Sequence, residues 1–277
     1  MACITVLLPA QVNEQVSAEM DWSTGTLTVV VSRPLPETGR NLPAGVTEVR
    51  AAIQRDANAL IVQELRMLPY DSLRTVNELL TERPELVGDI VQAASAARMV
   101  DAHATTDLRR VEVTFELNLY NTLLSSLADH DRPRRLQGQL GWAPADSYTG
   151  ILIYAAGPLR VFGSSETARL QPTLLPGIYQ GTEDGDGIEK LMEAEFLDPD
   201  SIERSGPVLY SDDVNDPRLA NRIGVRPLRI IALAAFGRYP TDVVIGYEDG
   251  LQILANENNR SLIANGRIAI IIDPDLM

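Results

Sequence analysis

Lysine is nearly absent. Of 24 basic residues only Lys190 is a lysine, and the rest are arginine. Schiff-base catalysis needs a desolvated lysine, and Lys190 stands beside Glu189 with Glu193 and Glu195 close behind. A P-loop needs a Gly-rich turn running into Lys-Ser/Thr, which does not occur. Cys3 is the single cysteine, so no intrachain disulfide can form and the redox compartment is not legible. With two histidines, His103 and His130, and no Gly-x-Ser-x-Gly elbow, Ser-His-Asp and Cys-His systems lack support. Zinc wants Cys/His clusters that this chain does not supply. No Gly-x-Gly-x-x-Gly marks a dinucleotide site. Aromatics are scarce, with two Trp, eight Tyr and four Phe, and Trp22 lies far from Trp142 in sequence, so no sugar-stacking platform is apparent. No apolar run reaches the ~18 residues of a transmembrane helix.

Positive charge is also in deficit: the formal net charge is −14. A surface that acidic repels phosphate backbones and anionic lipid, which argues against nucleic acid as a partner. The nearest basic cluster, Arg132, Arg134 and Arg135 around Pro133, reads as a solvated interdomain link ahead of an anion site. Hydrophobic residues at 45% and charged ones at 22% are near the globular average, so the chain has the means to bury a core.

The pattern predicts an α+β fold: a helix packed on a small antiparallel sheet, followed by a second, mixed α/β domain. Residues 1–16 are a signal remnant or a first strand, because Ala2–Ala10 fits either. The first domain is placed at 17–128, a linker at 129–147 rich in Pro, Arg, Asp and Gly, and the second domain at 148–277. In the first domain, Met20-Asp21-Trp22 and Thr26–Val31 flank the turn Ser23-Thr24-Gly25 as a strand pair. A connector is expected over 34–45, then a helix over Val49–Leu68, with further helices near 73–80 and from Pro84. Val111, Val113, Phe115, Leu117 and Leu119 alternate with polar residues as a half-buried strand, and a short helix follows over Thr122–Leu127. The long helix should cover a sheet holding both strands.

The second domain opens on Ile151–Ala155, a run suited to a strand covered on both faces. A loop-rich middle follows. Strands are expected over Pro227–Phe236, Val243–Ile245 and Arg267–Ile272. A helix over Glu248–Asn256 is expected to share a face of Tyr247, Leu251, Leu254 and Ala255. His103 sits in the expected strand Val100–Ala104, and His130 reads as a solvated loop residue.

Two acidic stretches hold oxygen ligands that a hard cation could use: Asp184 and Asp186 in the first, Asp212, Asp213 and Asp216 in the second. Neither fits an EF-hand frame, and turn formation accounts for both, so no metal site is assigned. No catalytic or cofactor-binding residue is assigned either.

Trp22–Leu27, the helix pattern of Ala51, Ala57, Ala59, Leu60 and Leu65, and the strand Arg110–Phe115 together resemble the N-terminal domain of the flagellar T-ring protein FlgT. They also resemble small Helicobacter-type surface lipoproteins with a dodecin-like fold. Ile223–Leu228, Thr241–Ile245 with Glu248-Asp249, and Arg267–Asp273 are similar to a C-terminal module of uncharacterised exported bacterial proteins. These resemblances imply a periplasmic or cell-envelope setting and partners that are further copies of the chain or envelope and flagellar proteins. The leading expectation is a non-enzymatic structural or assembly protein acting as an oligomer, without cofactor. A small-molecule or cation-binding sensor on the acidic loops is the alternative, and a carboxylate-dependent hydrolase is the third reading.

Overall fold

The computed structural model describes residues 14–36, 42–128, 130, 132–138 and 146–277. Cys3, the Ala2–Ala10 segment and Trp142 lie outside the described residues.

The first domain is built on two hairpins around a helix. β1 (Gln15–Asp21) and β2 (Thr26–Pro34) form an antiparallel pair, and β3 (Arg98–Ala104) with β4 (Arg110–Asn118) forms a second. The four-stranded order β1-β2-β4-β3 makes β2 and β4 central. Alternation in β4 points Val111, Val113, Phe115 and Leu117 into the core, beside Leu27, Val29 and Val31 of β2. Both strands therefore share one sheet, as expected, and α1 (Leu42–Met67) packs on it through Val49, Ile53, Ala57, Ile61 and Leu65. α1 starts well before the expected Val49: Leu42-Pro43-Ala44-Gly45 already belongs to it. Proline is tolerated there because first-turn N–H groups have no intrahelical acceptor. Because β2 is covered on both edges, Thr26–Val31 does not form a free edge.

α2 (Val76–Glu82) begins at a capping box in which Thr75 and Glu78 each satisfy the other's backbone N–H. A 3-10 turn at Pro84–Leu86 leads into α3 (Val87–Ser95), and a π-helical turn, Tyr120–Leu124, runs into α4 (Ser125–Ala128).

The second domain holds two sheets. One is wholly parallel, in the order β10-β14-β5-β11, from β5 (Ile151–Tyr154), β10 (Leu209–Ser211), β11 (Leu228–Ile231) and β14 (Ile268–Ile271). The other is mixed, in the order β7-β6-β12-β13-β8-β9. Its strands are β6 (Pro158–Val161), β7 (Thr167–Arg169), β8 (Ile178–Gly181), β9 (Ile188–Met192), β12 (Ala234–Phe236) and β13 (Asp242–Ile245). The helices are α5 (Pro199–Ser205), α6 (Pro217–Ile223), α7 (Tyr247–Leu254) and α8 (Glu257–Ala264).

Three expectations change here. The middle of this domain is not loop-rich, since seven of these elements lie between residues 158 and 223. The stretch 227–236 is two strands in two sheets: Ala232 N–H donates to Tyr154 O at 2.9 Å, whereas Leu233 N–H donates to Val244 O at 2.8 Å. α7 buries Gly250, Ile253 and Leu254, so of the expected face only Leu254 is fully buried and Tyr247, Leu251 and Ala255 are half-buried. The helix is turned so that Gly250 lies on Gln180 of β8, where an added Cβ would sit 1.8 Å from Gln180 Oε1.

The domains share one hydrophobic core. The chain after α1 is sewn to the second domain by backbone bonds, from Leu174 N–H to Pro69 O at 3.1 Å, Leu175 N–H to Tyr70 O at 2.9 Å and Tyr239 N–H to Ser72 O at 2.8 Å. Tyr120 is gripped from both domains: a Cβ on Gly25, or on Gly206, would lie 2.6 Å from its ring. Both glycines have positive φ, +70° and +74°, which L side chains rarely adopt.

Candidate functional site

Where the domains meet, a cleft of about 550 Å³ opens beside Tyr120. The first domain contributes Ser23 and Thr24 from the β1–β2 turn, Asn118 from the end of β4 and Asn121 from the π-helical turn after it. Asp21 positions that turn by accepting from Ser23 N–H at 2.9 Å and from Thr24 Oγ1 at 2.8 Å. From the second domain, α5 supplies Glu203 and Arg204, α6 supplies Arg218, Asn221 and Arg222, and the chain after α8 supplies Asn265 and Arg267.

Four arginines thus converge in an acidic protein, and they differ in their partners. Arg218 is neutralised by Asp216 at 2.7 Å and also donates to Ser23 across the cleft. Arg222 donates from Nη1 to Ser205 O and from Nη2 to Gly206 O, both at 2.6 Å, while its Nε is buried without an acceptor. Burial, with the Arg267 charge adding to it, pushes the Arg222 guanidinium down to about 10, against an opposing contribution from Tyr120. Arg267 donates from Nε to Thr149 O at 2.6 Å. Among the described residues, no carboxylate lies within ion-pair distance of Arg204, Arg222 or Arg267.

The acidic residues singled out in the sequence lie elsewhere. Asp184 accepts from Thr182 Oγ1 and from Asp186 N–H, closing the β8–β9 turn, and Asp186 is exposed. Asp213 accepts from Asn215 N–H at 2.8 Å, and Asp212 is exposed. Asp216 caps α6, accepting from Arg218 N–H at 2.8 Å and from Ser211 Oγ at 3.0 Å. Hydrogen bonding to Arg218 holds its carboxyl below the usual range. Among the described residues no group of three or more His, Cys, Asp or Glu side chains is placed to hold a metal ion.

His103 lies on β3 as expected, with Nδ1 2.9 Å from Asp101 Oδ2. His130 is not a solvated loop residue. It is half-buried, its ring nitrogens 2.9 Å from Ala128 O and 2.6 Å from Leu197 O, and a neutral ring donates to only one of these. Beyond it Arg134 pairs with Glu195 at 3.1 Å and lies over the Phe196 ring, so the linker arginine is held on the second domain.

A second interdomain hollow, of about 230 Å³, gathers Asp71 and Ser72 of the first domain with Tyr179, Glu193 and Asp242 of the second. Asp242 Oδ1 accepts from Gly177 N–H at 2.7 Å, and Glu193 accepts from Tyr179 Oη at 2.6 Å. Burial raises Asp242 to about 6, opposed by hydrogen bonds from Ser72 and Gly177. Both carboxylates hold neighbouring segments together.

Fold and site together define a two-domain α+β protein. Residues 14–126 match the family described as Treponema pallidum Tp0624, N-terminal domain, and residues 150–274 match that described as Treponema pallidum Tp0624, second domain. A search of curated proteins finds no match. Among the described residues no helix is long and apolar enough to cross a membrane.

Sequence reasoning missed the arginine cleft. Arg204, Arg218, Arg222 and Arg267 are dispersed along the chain, and no local motif joins them.

Proposed function

We propose that the protein is a non-enzymatic structural or assembly component of the bacterial envelope, working in multiple copies. The envelope setting, and any link to the flagellum, rest on the sequence resemblance alone. The assembly role rests on one surface. Among the described residues β11 ends the parallel sheet and pairs only with β5, so its outer edge is left without a neighbouring strand. Alternation puts Arg229 and Ile231 on the sheet face that α6 covers over β10, β14 and β5 through Leu219 and Ile223. The helix stops short of β11. Ile231 is left 73% exposed, Leu233 just after the strand 59% and Val225 just before it 94%. An edge strand flanked by exposed apolar side chains is a template for pairing with another strand, and here only Arg229 within it and Pro227 before it blunt it.

The occupant we favour is β11 of a second copy, because a two-fold axis makes the edge its own complement. Light scattering coupled to size exclusion tests this on wild type and Ile231→Lys. The expected result is a defined oligomer that the folded lysine variant loses. A wild type that stays monomeric across micromolar concentrations, with no partner crosslinked in cells, removes the reading. The alternative of a cation sensor on the acidic loops gains no support from their geometry, since Asp184, Asp213 and Asp216 already accept turn and cap hydrogen bonds.

A further inference from the structure

We infer that the interdomain cleft binds a small anion carrying phosphate or carboxylate groups, held by Arg204, Arg222 and Arg267 against the amide side chains of Asn121, Asn221 and Asn265. This goes beyond the assembly reading and does not depend on it, because β11 lies outside the cleft.

The argument starts from charge. With a formal charge of −14, carboxylates are plentiful on this chain: several arginines hold one, and others without one, such as Arg50, Arg55 and Arg98, are exposed to water. Arg33, Arg74, Arg134, Arg169, Arg218, Arg226 and Arg238 each have a carboxylate within 4 Å. The Arg267 charge lies close enough to add to the electrostatic cost of Arg222, which is largely desolvated. A desolvated guanidinium beside a second positive charge is unfavourable without a counter-ion, and an anion bound at this position relieves that cost.

Geometry agrees. Backbone approach is permitted by glycine at two points: a Cβ on Gly224 would lie 3.2 Å from Arg267 Nη2, and one on Gly266 3.2 Å from Arg222 Nη2. The Arg222 guanidinium is fixed by two carbonyl oxygens, so little further ordering is needed on binding. Planar guanidinium forks suit bidentate recognition of carboxylate and phosphate, and among the described residues Arg267 is bonded to the protein through Nε, to Thr149 O. The cleft volume of about 550 Å³ falls in the range of small-ligand sites. Its lining of asparagine, serine and threonine offers neutral donors and acceptors beside the charge. Glu203 lines the cleft, and Asp200 with Glu203 lines the adjoining depression, so negative charge disfavours a long acidic ligand on that side.

The test is calorimetric titration and thermal melting of the full chain with inorganic phosphate, pyrophosphate and citrate at constant ionic strength. Constant ionic strength prevents screening from imitating binding. Saturable binding with a raised melting temperature is expected for at least one probe. Preference for pyrophosphate over citrate identifies a phosphate ligand, and the reverse a carboxylate one. Arg204→Gln, at an exposed position, should weaken binding by about tenfold, the loss of one charged hydrogen bond. Arg160→Gln, on β6 and outside the cleft, should leave it unchanged. If Arg204→Gln does not fold, Asn221→Asp places a carboxylate in the cleft and should abolish binding. The inference is overturned if no probe saturates, or if binding survives the cleft substitution unchanged. Loss of the oligomer in Ile231→Lys with anion binding intact would separate this site from the assembly surface.

Discussion

The indole of Trp22 meets the ring of Tyr210 edge-on, with centroids 6.3 Å apart and planes at 78°. Trp22 follows β1 and Tyr210 lies in β10, so a buried aromatic pair spans the two domains. Such a pair contributes about 0.5–1.5 kcal/mol beyond its buried area, and truncating one partner also leaves a cavity. Wild type is expected to unfold in one transition, with tryptophan fluorescence and far-UV circular dichroism coincident. Tyr210→Ala should cost about 3–5 kcal/mol and pull the two probes apart, because the first domain loses its anchor. Coincident probes in Tyr210→Ala, at an unchanged urea midpoint, would show that the pair does not couple the domains.

The helix α1 offers a finer test of packing. Its core contacts fall at Val49, Ile53, Ala57, Ile61 and Leu65, and Leu60 sits at the flank, half-buried. Ile61→Ala is therefore expected to cost about 2–5 kcal/mol, and Leu60→Ala clearly less. Urea midpoints of the two variants check the ranking, and equal losses would place Leu60 in the core after all.

That ranking shows what sequence pattern carries. Period two in Val111–Leu117 and helical spacing from Val49 to Leu65 each report one buried face, so the first domain was legible nearly element by element. The Thr75–Glu78 capping box was a usable signal for the start of α2 that the apolar pattern alone passed over. In the second domain, strands of three to five residues are covered on both faces or lie at edges, and alternation is lost. Nothing local told Ile231 from Ala234, so one apolar run was read as one strand although it serves two sheets. The cleft was illegible for a similar reason: Arg204 and Arg267 meet only because α5 and the chain before β14 are neighbours in space.

The acidic stretches give a prediction that separates capping from cation binding. Asp216 caps α6 and pairs with Arg218, whereas Asp212 is exposed. Asp216→Ala should cost about 1–2 kcal/mol, and Asp212→Ala no more than about 0.5 kcal/mol. Millimolar calcium should leave the melting temperature of wild type in place. A calcium-dependent rise lost equally in both variants would restore the cation reading, since a site occupied at a hundredfold excess stabilises by about 2.7 kcal/mol.

The last prediction concerns pH and Asp242. This side chain is only 3% exposed, and burial raises its carboxyl from 3.8 to about 6. An acid with a raised folded pKa binds its proton more tightly when folded. Its contribution to stability is therefore fully present below the unfolded value near 4 and is lost as pH rises through about 6. At about 1.4 kcal/mol per unit, a shift of this size is worth up to about 3 kcal/mol across that window. Other carboxyls, Asp216 among them, are held low and act in the opposite direction, so the raw profile mixes both. The difference between wild type and Asp242→Asn isolates the one group. An asparagine keeps an oxygen for Gly177 N–H and turns its amide toward Ser72, so the variant should fold. Urea midpoints measured from pH 4 to pH 8 should show Asp242→Asn gaining on wild type as pH rises through 6, then running parallel. A difference that stays flat across that window would mean the Asp242 carboxylate is not destabilised by its surroundings, and that the hydrogen bonds from Gly177 and Ser72 offset its burial in full.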